Sequence, residues 1–481
     1  MAARNPYPAL VIGALLPLVA LLAIWRWADG HVADPVTEPS VAPSTAAPAA
    51  LTTPLLSARR APHALIGEQN EQKFAAALKP VVNMIAGGSC IAVSVDGAPV
   101  TSANATAALR PASTVKLITA SVAVDVLGAD FRYTTTAAGQ SSGGVVNGDL
   151  YLVGGGDPVL SEPWWKTATV TLLPPTVITD ITALADSIKA AGITQITGNV
   201  VGDGTRYDNE RYAPTVTKDV KAALEALPVS ALVVNDLRLS PTQVANDPES
   251  GAAQVLIRLL GERGITVGGK AVSGVTPANT PTIASIQSAP FGEVVAEMLT
   301  TSDNLSAEMI LKEVGLAAAK QGTREAGLRV VGDRLSAWGI DQTATTLVDG
   351  SGLSDENRTS CAALLGVLQH GNVNDPVGAG LPVAGDKAGT LADAFSDGPM
   401  KGVLRGKTGT LNNNDGVANK PGAKALAGYV PQAAGSQIEF VILMNGETIT
   451  NKTEYRPTWD RFAEVVANYP YGVTAASVGV R

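Results

Sequence analysis

The chain has 481 residues, of which 46% are hydrophobic, so it can bury a large core, and its length favours two or more domains over one. Its 35 basic and 43 acidic residues give a net charge of -8, which repels a phosphate backbone, so we expect no nucleic-acid partner. Three histidines and two cysteines occur without an HExxH or CxxC pattern. We therefore expect neither a metal centre nor a cofactor.

The beginning of the chain has the features of an export signal. An apolar run from Ala9 to Trp25 follows Arg4, and it is longer than a usual signal-peptide core but short for a membrane span. The residues after it are a poor cleavage context, so we predict an uncleaved membrane anchor over residues 1–28. Secretion after cleavage is the alternative. Residues 29–62, rich in Pro, Ala, Thr and Ser, are predicted to form a flexible linker outside the membrane.

The first predicted elements of the exported part are a strand and a helix. Residues 90–95 form an apolar run rich in branched side chains that ends at Asp96-Gly97, which is typical of a strand followed by a hairpin turn. Residues 111–124 are apolar or small on nearly every face and open with proline. This segment predicts a buried helix that begins around Ser113.

The two cysteines lie in the part predicted to be exported. Outside the membrane Cys90 and Cys361 are able to form a disulfide, but cysteines 271 residues apart are as often unpaired packing residues. The sequence leaves both possibilities open.

The middle of the chain differs in texture from the two ends. Residues 131–284 combine short strands rich in Val, Thr and Gly with two helical stretches, near 179–190 and 252–263. Beyond them the sequence predicts, in chain order, helices over 292–312 and 324–338, strands over 425–430 and 438–444, and a helix over 458–468. We therefore predict a catalytic domain assembled from residues 64–130 and 285–475, with an α+β accessory region inserted over 131–284.

A serine and a lysine on the predicted helix could form a catalytic pair. Ser113 and Lys116 are three positions apart, which is one helical turn, so the amine can reach the hydroxyl proton. An ordinary surface pair is the competing interpretation, because this spacing arises by chance about once in such a chain. The apolar surroundings favour the catalytic one, because a buried lysine needs a partner or a shifted pKa.

Two further short motifs have side chains suited to a peptide substrate. Ser302 and Asn304 flank Asp303, and this triplet could also be no more than a helix N-cap. In residues 407–410, Lys-Thr-Gly-Thr, a glycine would let an extended peptide approach the strand closely. The alternatives for these residues are an edge strand with a solvated lysine and a phosphate-binding P-loop, although the P-loop requires one more residue between its glycines.

A serine motif of another enzyme class also occurs. Residues 139–143, Gly-Gln-Ser-Ser-Gly, match the nucleophile elbow of α/β-hydrolases. Their flanks lack the strand and helix that this elbow requires, so we predict a hairpin loop.

The three motifs together are far more specific than any one of them. SxxK, SDN and KTG occur in this order behind an export signal, and the trio is the signature of penicillin-recognising enzymes. From about Ser89 to Asn445 the sequence resembles the low-molecular-mass, class C penicillin-binding proteins of the D-alanyl-D-alanine carboxypeptidase/endopeptidase family. Residues 349–354, Asp-Gly-Ser-Gly-Leu-Ser, contribute to the resemblance. It implies an α/β, β-lactamase/transpeptidase-like fold, an antiparallel sheet flanked by helices, with the accessory region inserted.

The resemblance also implies a role for each motif residue. Ser113 would be acylated, Lys116 would be its base, and Ser302 would relay the proton to the leaving D-alanine. The substrate-binding residues would be Asn304 for the peptide, Lys407 and Thr408 for the terminal carboxylate, Gly409 for close approach, and Thr410, whose backbone amide would complete an oxyanion hole with that of Ser113. The implied partners are peptidoglycan stem peptides and β-lactam inhibitors, at a site outside the membrane.

Some features depart from the family, and other functions fit the same motifs. Family members often have an arginine directly after the Gly-Leu-Ser stretch, where this chain has Asp355, and the nearest arginine is Arg358. Recognition of a diaminopimelate side chain is therefore left open. A β-lactamase or esterase on the same fold is one alternative, and rapid turnover of penicillin would distinguish it. An inactive cell-wall-binding protein is another, and failure to form a penicillin adduct would favour it.

Overall fold

The computed structural model describes residue 26 and residues 63–471, other than 172, 217 and 413–420. The chain divides into two compact units, Met1–Arg60 and Ala61–Arg481, and the fold below is that of the second. The predicted anchor and linker lie outside the described residues, apart from residue 26. Among the helices of the described ranges, none has the length and apolar character needed to cross a membrane.

A five-stranded antiparallel sheet, the main sheet, joins the two ends of this unit. In spatial order its strands are Arg405–Leu411, Gly422–Pro431, Gln437–Gly446, Ser89–Val95 and Ala98–Ala103. The turn predicted after residue 95 is confirmed, because Asp96 and Gly97 both have positive φ, 49° and 81°, as a two-residue hairpin turn requires.

Helices cover both faces of the main sheet. Side chains alternate along a strand, so Ile91 and Val93 pack into one hydrophobic core while Ala92 packs into the other. The first core includes the helices His63–Val82 and Lys452–Val466. The second includes the helices Val115–Leu127, Phe291–Thr301, Asn304–Ala319, Arg324–Ala337 and Cys361–His370. Burial on both faces explains why this strand is a continuous apolar run in the sequence.

The helical segment predicted over residues 292–312 consists of two helices, Phe291–Thr301 and Asn304–Ala319. The second begins at the Ser-Asp-Asn triplet, which the sequence offered as a helix N-cap. The first ends because Ser302 has a left-handed backbone, with φ of 62°. The second begins there because the Asp303 carboxylate accepts a hydrogen bond of 2.6 Å from the backbone N–H of Ser306.

A second five-stranded sheet lies in the middle of the chain. Its strands, in spatial order, are Ala271–Ser273, Val200–Asp203, Leu150–Val153, Thr134–Ala138 and Thr282–Gln287. They have a core of their own with the helices Thr182–Ala190 and Pro248–Glu262. The expected α/β class, an antiparallel sheet flanked by helices together with an α+β region, is thus confirmed. The proposed division at residues 131 and 284 stays a prediction.

The remaining α-helices and β-strands of the described ranges are short. They are the helices Lys218–Ala222 and Pro376–Ala379, and the strands Ser141–Ser142, Val145–Val146, Gln195–Ile196, Thr266–Val267, Leu160–Ser161, Thr179–Asp180, Arg238–Ser240 and Gln243–Val244. Ser141–Ser142 pairs antiparallel with Val145–Val146. This pairing confirms the hairpin predicted for the Gly-x-Ser-x-Gly motif, so that serine lies on a hairpin and not on a nucleophile elbow.

A disulfide links the main sheet to one of its covering helices. Cys90, in a central strand, is bonded to Cys361, the first residue of the helix Cys361–His370, with an S–S distance of 2.03 Å. This pairing settles the choice that the sequence left open between a disulfide and two packing residues.

A loop after the long helices packs tightly against the start of the helix Val115–Leu127. Gly352 lies in this loop with φ of 81°, and a Cβ placed on it would be 2.0 Å from the carbonyl oxygen of Ala112. Gly97 has the same φ of 81°, but nothing lies within 4 Å of its Cβ position. The two glycines therefore separate the cost of backbone conformation from the cost of crowding.

We expect Gly352→Ala to destabilise the protein by about 3 kcal/mol, because the left-handed backbone costs ~1–2 kcal/mol and overpacking adds ~1–3 kcal/mol. Gly97→Ala should show the first cost alone, ~1–2 kcal/mol. Urea unfolding of both variants measures the difference, and equal losses of unfolding free energy would show that Gly352 is not crowded.

Candidate active site

The structure places Ser113 and Lys116 as the sequence predicts. A single 3-10 turn, Ala112–Thr114, leads into the helix Val115–Leu127, so the two side chains lie one turn apart on one face. The Lys116 Nζ atom is 3.2 Å from the Ser113 Oγ atom. Ser113 is half-buried and Lys116 is completely buried. The competing surface-pair interpretation is wrong, because this lysine has no contact with solvent.

The Lys116 amine is surrounded by neutral hydrogen-bond acceptors. Besides Ser113, it donates to the Asn304 side-chain oxygen and to the Ser351 carbonyl oxygen, each at 2.7 Å. Burial lowers the pKa of Lys116 to about 8, although the negative charges of nearby acidic residues oppose that fall. The amine is therefore able to lose its proton near neutral pH.

The Ser-Asp-Asn triplet is both a helix cap and part of this cluster. Asp303 caps the helix Asn304–Ala319, as the simpler interpretation required. Its two neighbours face the lysines of the other motifs: Asn304 contacts Lys116, and the Ser302 Oγ atom accepts a hydrogen bond of 2.7 Å from the Lys407 amine. The cap therefore positions the residues on either side of it.

The third motif lies inside a strand of the main sheet. Residues 407–410 belong to Arg405–Leu411, which excludes the P-loop, since a P-loop requires a loop followed by a helix. Lys407 is completely buried, so it is not the solvated lysine of an edge strand. Burial and the positive charge of Lys116 hold the pKa of Lys407 well below its usual value. Gly409 permits close approach, because a Cβ there would be 2.8 Å from the Pro111 carbonyl oxygen.

One cleft brings the three motifs together. It has a volume of about 730 Å³, and its lining includes a residue or more from each motif: Ser113, Ser302, Asn304, Thr408 and Thr410. The two motif lysines are buried against these residues. Over the described ranges, no three His, Cys, Asp or Glu side chains are grouped so that they could bind a metal ion. The chemistry that this arrangement allows is nucleophilic attack by a serine assisted by an amine.

Two buried carboxylates shape the site, and the sequence did not single them out. Glu308 accepts hydrogen bonds of 2.9 Å from the backbone N–H groups of Gly350 and Ser351. Asp349 accepts from the N–H groups of Gly352 and Ser354, at 2.8 and 2.7 Å. These bonds hold the loop that presents the Ser351 carbonyl to Lys116. The Asp-Gly-Ser-Gly-Leu-Ser stretch was noticed in the sequence, but its hydrogen-bonding role required the fold.

Charged residues beside the cleft also differ from what the sequence suggested. Asp355 lines the cleft and forms an ion pair with Arg110, a residue that the sequence did not single out. Arg358 donates instead to the carbonyl oxygens of Asp355 and Asn357, at 2.6 and 2.8 Å. Arg358 therefore folds back onto its own loop.

Known proteins resemble this chain in sequence and in structure. The D-Ala-D-Ala carboxypeptidase 3 (S13) family matches residues 74–246 and 239–468. A D-alanyl-D-alanine carboxypeptidase of Actinomadura sp. (strain R39) is 27% identical over 423 residues, which cover 71% of this chain and 74% of that protein. Carboxypeptidase DacB of Mycolicibacterium smegmatis is 29% identical over 477 residues, which cover 94% of this chain and 95% of that protein.

The solved structures support the fold. Penicillin binding protein 4 (dacB) of Haemophilus influenzae superimposes with a TM-score of 0.66 at 20% identity, over 82% of this chain and 99% of that one. The family match spans the main sheet, the cleft and the covering helices, apart from the first part of the helix His63–Val82. The chain therefore belongs to the D-Ala-D-Ala carboxypeptidase 3 (S13) family, and it is a serine-type D-Ala-D-Ala carboxypeptidase.

Proposed function

We propose that Ser113 is the nucleophile of this carboxypeptidase and that it forms an acyl-enzyme with peptidoglycan stem peptides ending in D-alanyl-D-alanine. The observation that supports this most directly is the 3.2 Å contact between the Ser113 hydroxyl and the buried Lys116 amine, in the cleft where the three motifs meet. A serine hydroxyl within hydrogen-bonding distance of an amine whose pKa is lowered is an arrangement suited to serine acyl transfer.

Lys116 acts as the base in this proposal. At pH 7 an amine with a pKa of about 8 is neutral in roughly one molecule in ten, against roughly one in 3,000 for an ordinary lysine. The neutral amine takes the hydroxyl proton as the Ser113 oxygen attacks the carbonyl carbon of the terminal peptide bond. The Ser351 carbonyl and the Asn304 side chain keep the amine directed at the cleft.

The substrate peptide binds in an extended conformation alongside the strand Arg405–Leu411, as an additional strand of the main sheet. The backbone N–H groups of Ser113 and Thr410 stabilise the negative oxygen of the tetrahedral intermediate. Lys407 and Thr408 bind the terminal carboxylate, and Asn304 bonds the peptide. Gly409 has no side chain, so the strand can lie directly against Pro111, just before Ser113. This close approach brings the Thr410 and Ser113 backbones together at the site of attack.

Ser302 passes the proton to the departing amine. Its hydroxyl lines the same cleft and accepts a hydrogen bond from Lys407, so it lies between an amine donor and the substrate. The peptide C–N bond then breaks, D-alanine leaves with the proton, and the acyl group stays on Ser113. Water hydrolyses this ester in the second half of the reaction. The same steps on a crosslinked peptide would give endopeptidase activity.

β-Lactams should acylate the same serine. Penicillin binding protein 4 of Haemophilus influenzae, 20% identical to this chain, has been solved in complex with a β-lactam. A β-lactam presents a reactive amide and a carboxylate, as the peptide terminus does, so it meets the same groups of the cleft. A long-lived adduct would indicate a carboxypeptidase, whereas rapid hydrolysis of the adduct would indicate a β-lactamase. The family match disfavours a β-lactamase.

The enzyme works outside the cytoplasm, where the substrates of its family lie. We propose in addition that residues 1–28 anchor it to the membrane, that residues 29–62 form the linker, and that residues 131–284 are an insertion between the two parts of the catalytic domain. The apolar run after Arg4 supports the anchor. The separate core of the second sheet supports the insertion.

The nucleophile can be identified by its covalent adduct. Incubation with benzylpenicillin should add one penicillin to the wild-type protein, and peptide mapping by mass spectrometry should place it on Ser113. Ser113→Ala should give no adduct. Ser141→Ala, which changes the serine of the hairpin, should label as the wild type does. Labelling that survives Ser113→Ala would contradict the assignment.

The base can be tested through the pH dependence of acylation. Because the neutral form of Lys116 is the active one and its pKa in the free enzyme is about 8, the second-order acylation rate constant at low substrate concentration should rise about tenfold from pH 6 to pH 7 and level off above pH 8. Lys116→Arg should stay protonated and remain inactive over this range. A wild-type rate independent of pH between 6 and 9 would exclude Lys116 as the base.

A further inference from the structure

A lysine outside the three motifs contacts the substrate-binding strand. Lys424 lies on the strand Gly422–Pro431, directly opposite Thr410 in the register of the main sheet. Its Nζ atom donates a hydrogen bond of 2.8 Å to the Thr410 Oγ1 atom. Both residues line the cleft that contains Ser113. Lys424 is therefore part of the wall along which the peptide terminus would lie.

The amine of Lys424 lies against two aromatic rings. It lies 4.5 Å from the ring centroid of Tyr455 and 5.6 Å from that of Trp459. Within the described part of the chain, no carboxylate forms an ion pair with it. Burial and the positive charges of Lys452 and Arg456 lower the pKa of Lys424 to about 8. A bound anion would relieve this repulsion.

The neighbouring threonines give the anion a defined position. Thr408 and Thr410 are two residues apart on one strand, so their side chains point to the same face about 7 Å apart. A carboxylate between them can accept one hydrogen bond of about 2.7 Å from each hydroxyl. Because Lys424 donates to the Thr410 oxygen, the hydroxyl proton of Thr410 is left to point at that carboxylate.

We propose that Lys424 is a positioning residue for the substrate's terminal carboxylate: it orients the Thr410 hydroxyl toward the anion and supplies a positive charge behind it. This inference rests on the proposed function, since it takes the carboxylate to bind at Thr408. Lys407 is poorly placed to supply the charge alone. It is completely buried, it donates to Ser302 and to the Thr408 carbonyl oxygen, and Lys116 opposes its protonation.

The test compares two acylating agents that differ in the carboxylate alone, benzylpenicillin and its methyl ester. We expect Lys424→Met to lower the second-order acylation rate constant for the acid by about tenfold, the effect of one charge-assisted hydrogen bond. The rate constant for the ester should change by less than about twofold. The ratio of the two isolates carboxylate recognition, since damage to Ser113 or Lys116 would slow both reagents equally.

Two further variants complete the design. Lys424→Arg keeps the charge and the donor, so it should restore most of the acid-to-ester ratio. Lys452→Met removes a positive charge from the same cleft lining and leaves the contact between Lys424 and Thr410 in place. It also lessens the repulsion on Lys424, so the ratio should stay within about twofold of the wild type and should not fall.

Each other outcome overturns the inference. If Lys424→Met lowered the rate constants for the acid and the ester equally, Lys424 would have a structural role only. If Lys452→Met lowered the acid-to-ester ratio as much as Lys424→Met does, the effect of Lys424 would be a general one of positive charge near the cleft. If the wild type formed no adduct on Ser113 with either reagent, the proposed function itself would fail.

Discussion

A buried amine without a carboxylate in contact is the constraint on which this active site depends. Lys312 shows the usual solution in the same protein, because it is completely buried and forms an ion pair with Asp208. Lys116 and Lys407 are equally buried, but among the described residues they contact hydroxyl, amide and carbonyl oxygens instead. Neutral acceptors bind either form of the amine. They therefore leave it free to release a proton, which an adjacent carboxylate would prevent.

Acidic residues still affect the Lys116 amine electrostatically, although they form no hydrogen bond with it among the described residues. Glu308 and Asp349 direct their oxygens at backbone N–H groups. The charge of Asp303, followed by those of Asp349 and Glu308, limits how far burial lowers the pKa of Lys116. Burial and the charge of Glu308 raise the pKa of Asp349 to about 6. The same two side chains thus fix the loop that presents the Ser351 carbonyl and contribute to the pKa of the amine that this carbonyl contacts.

The sequence predicted what depends on local pattern. A continuous apolar run ending in Asp96-Gly97 identified the central strand and its turn, and the spacing of one helical turn predicted the contact between Ser113 and Lys116. Contacts between segments distant in the chain could not be predicted from the sequence. The pairing of Cys90 with Cys361 depends on where a helix crosses the sheet, and the contact of Lys424 with Thr410 depends on strand register. The break at residue 302 could be expected from the sequence, because Ser, Asp and Asn are typical of a helix N-cap.

That break shows how function overrides local preference. A left-handed serine costs ~1–2 kcal/mol relative to glycine, which would end the helix Phe291–Thr301 without strain. Glycine would also remove the hydroxyl that contacts Lys407. The Asp303 cap offsets roughly 1 kcal/mol of the strain. The serine at this turn therefore keeps a hydroxyl that hydrogen-bonds Lys407, at the cost of backbone strain that glycine would avoid.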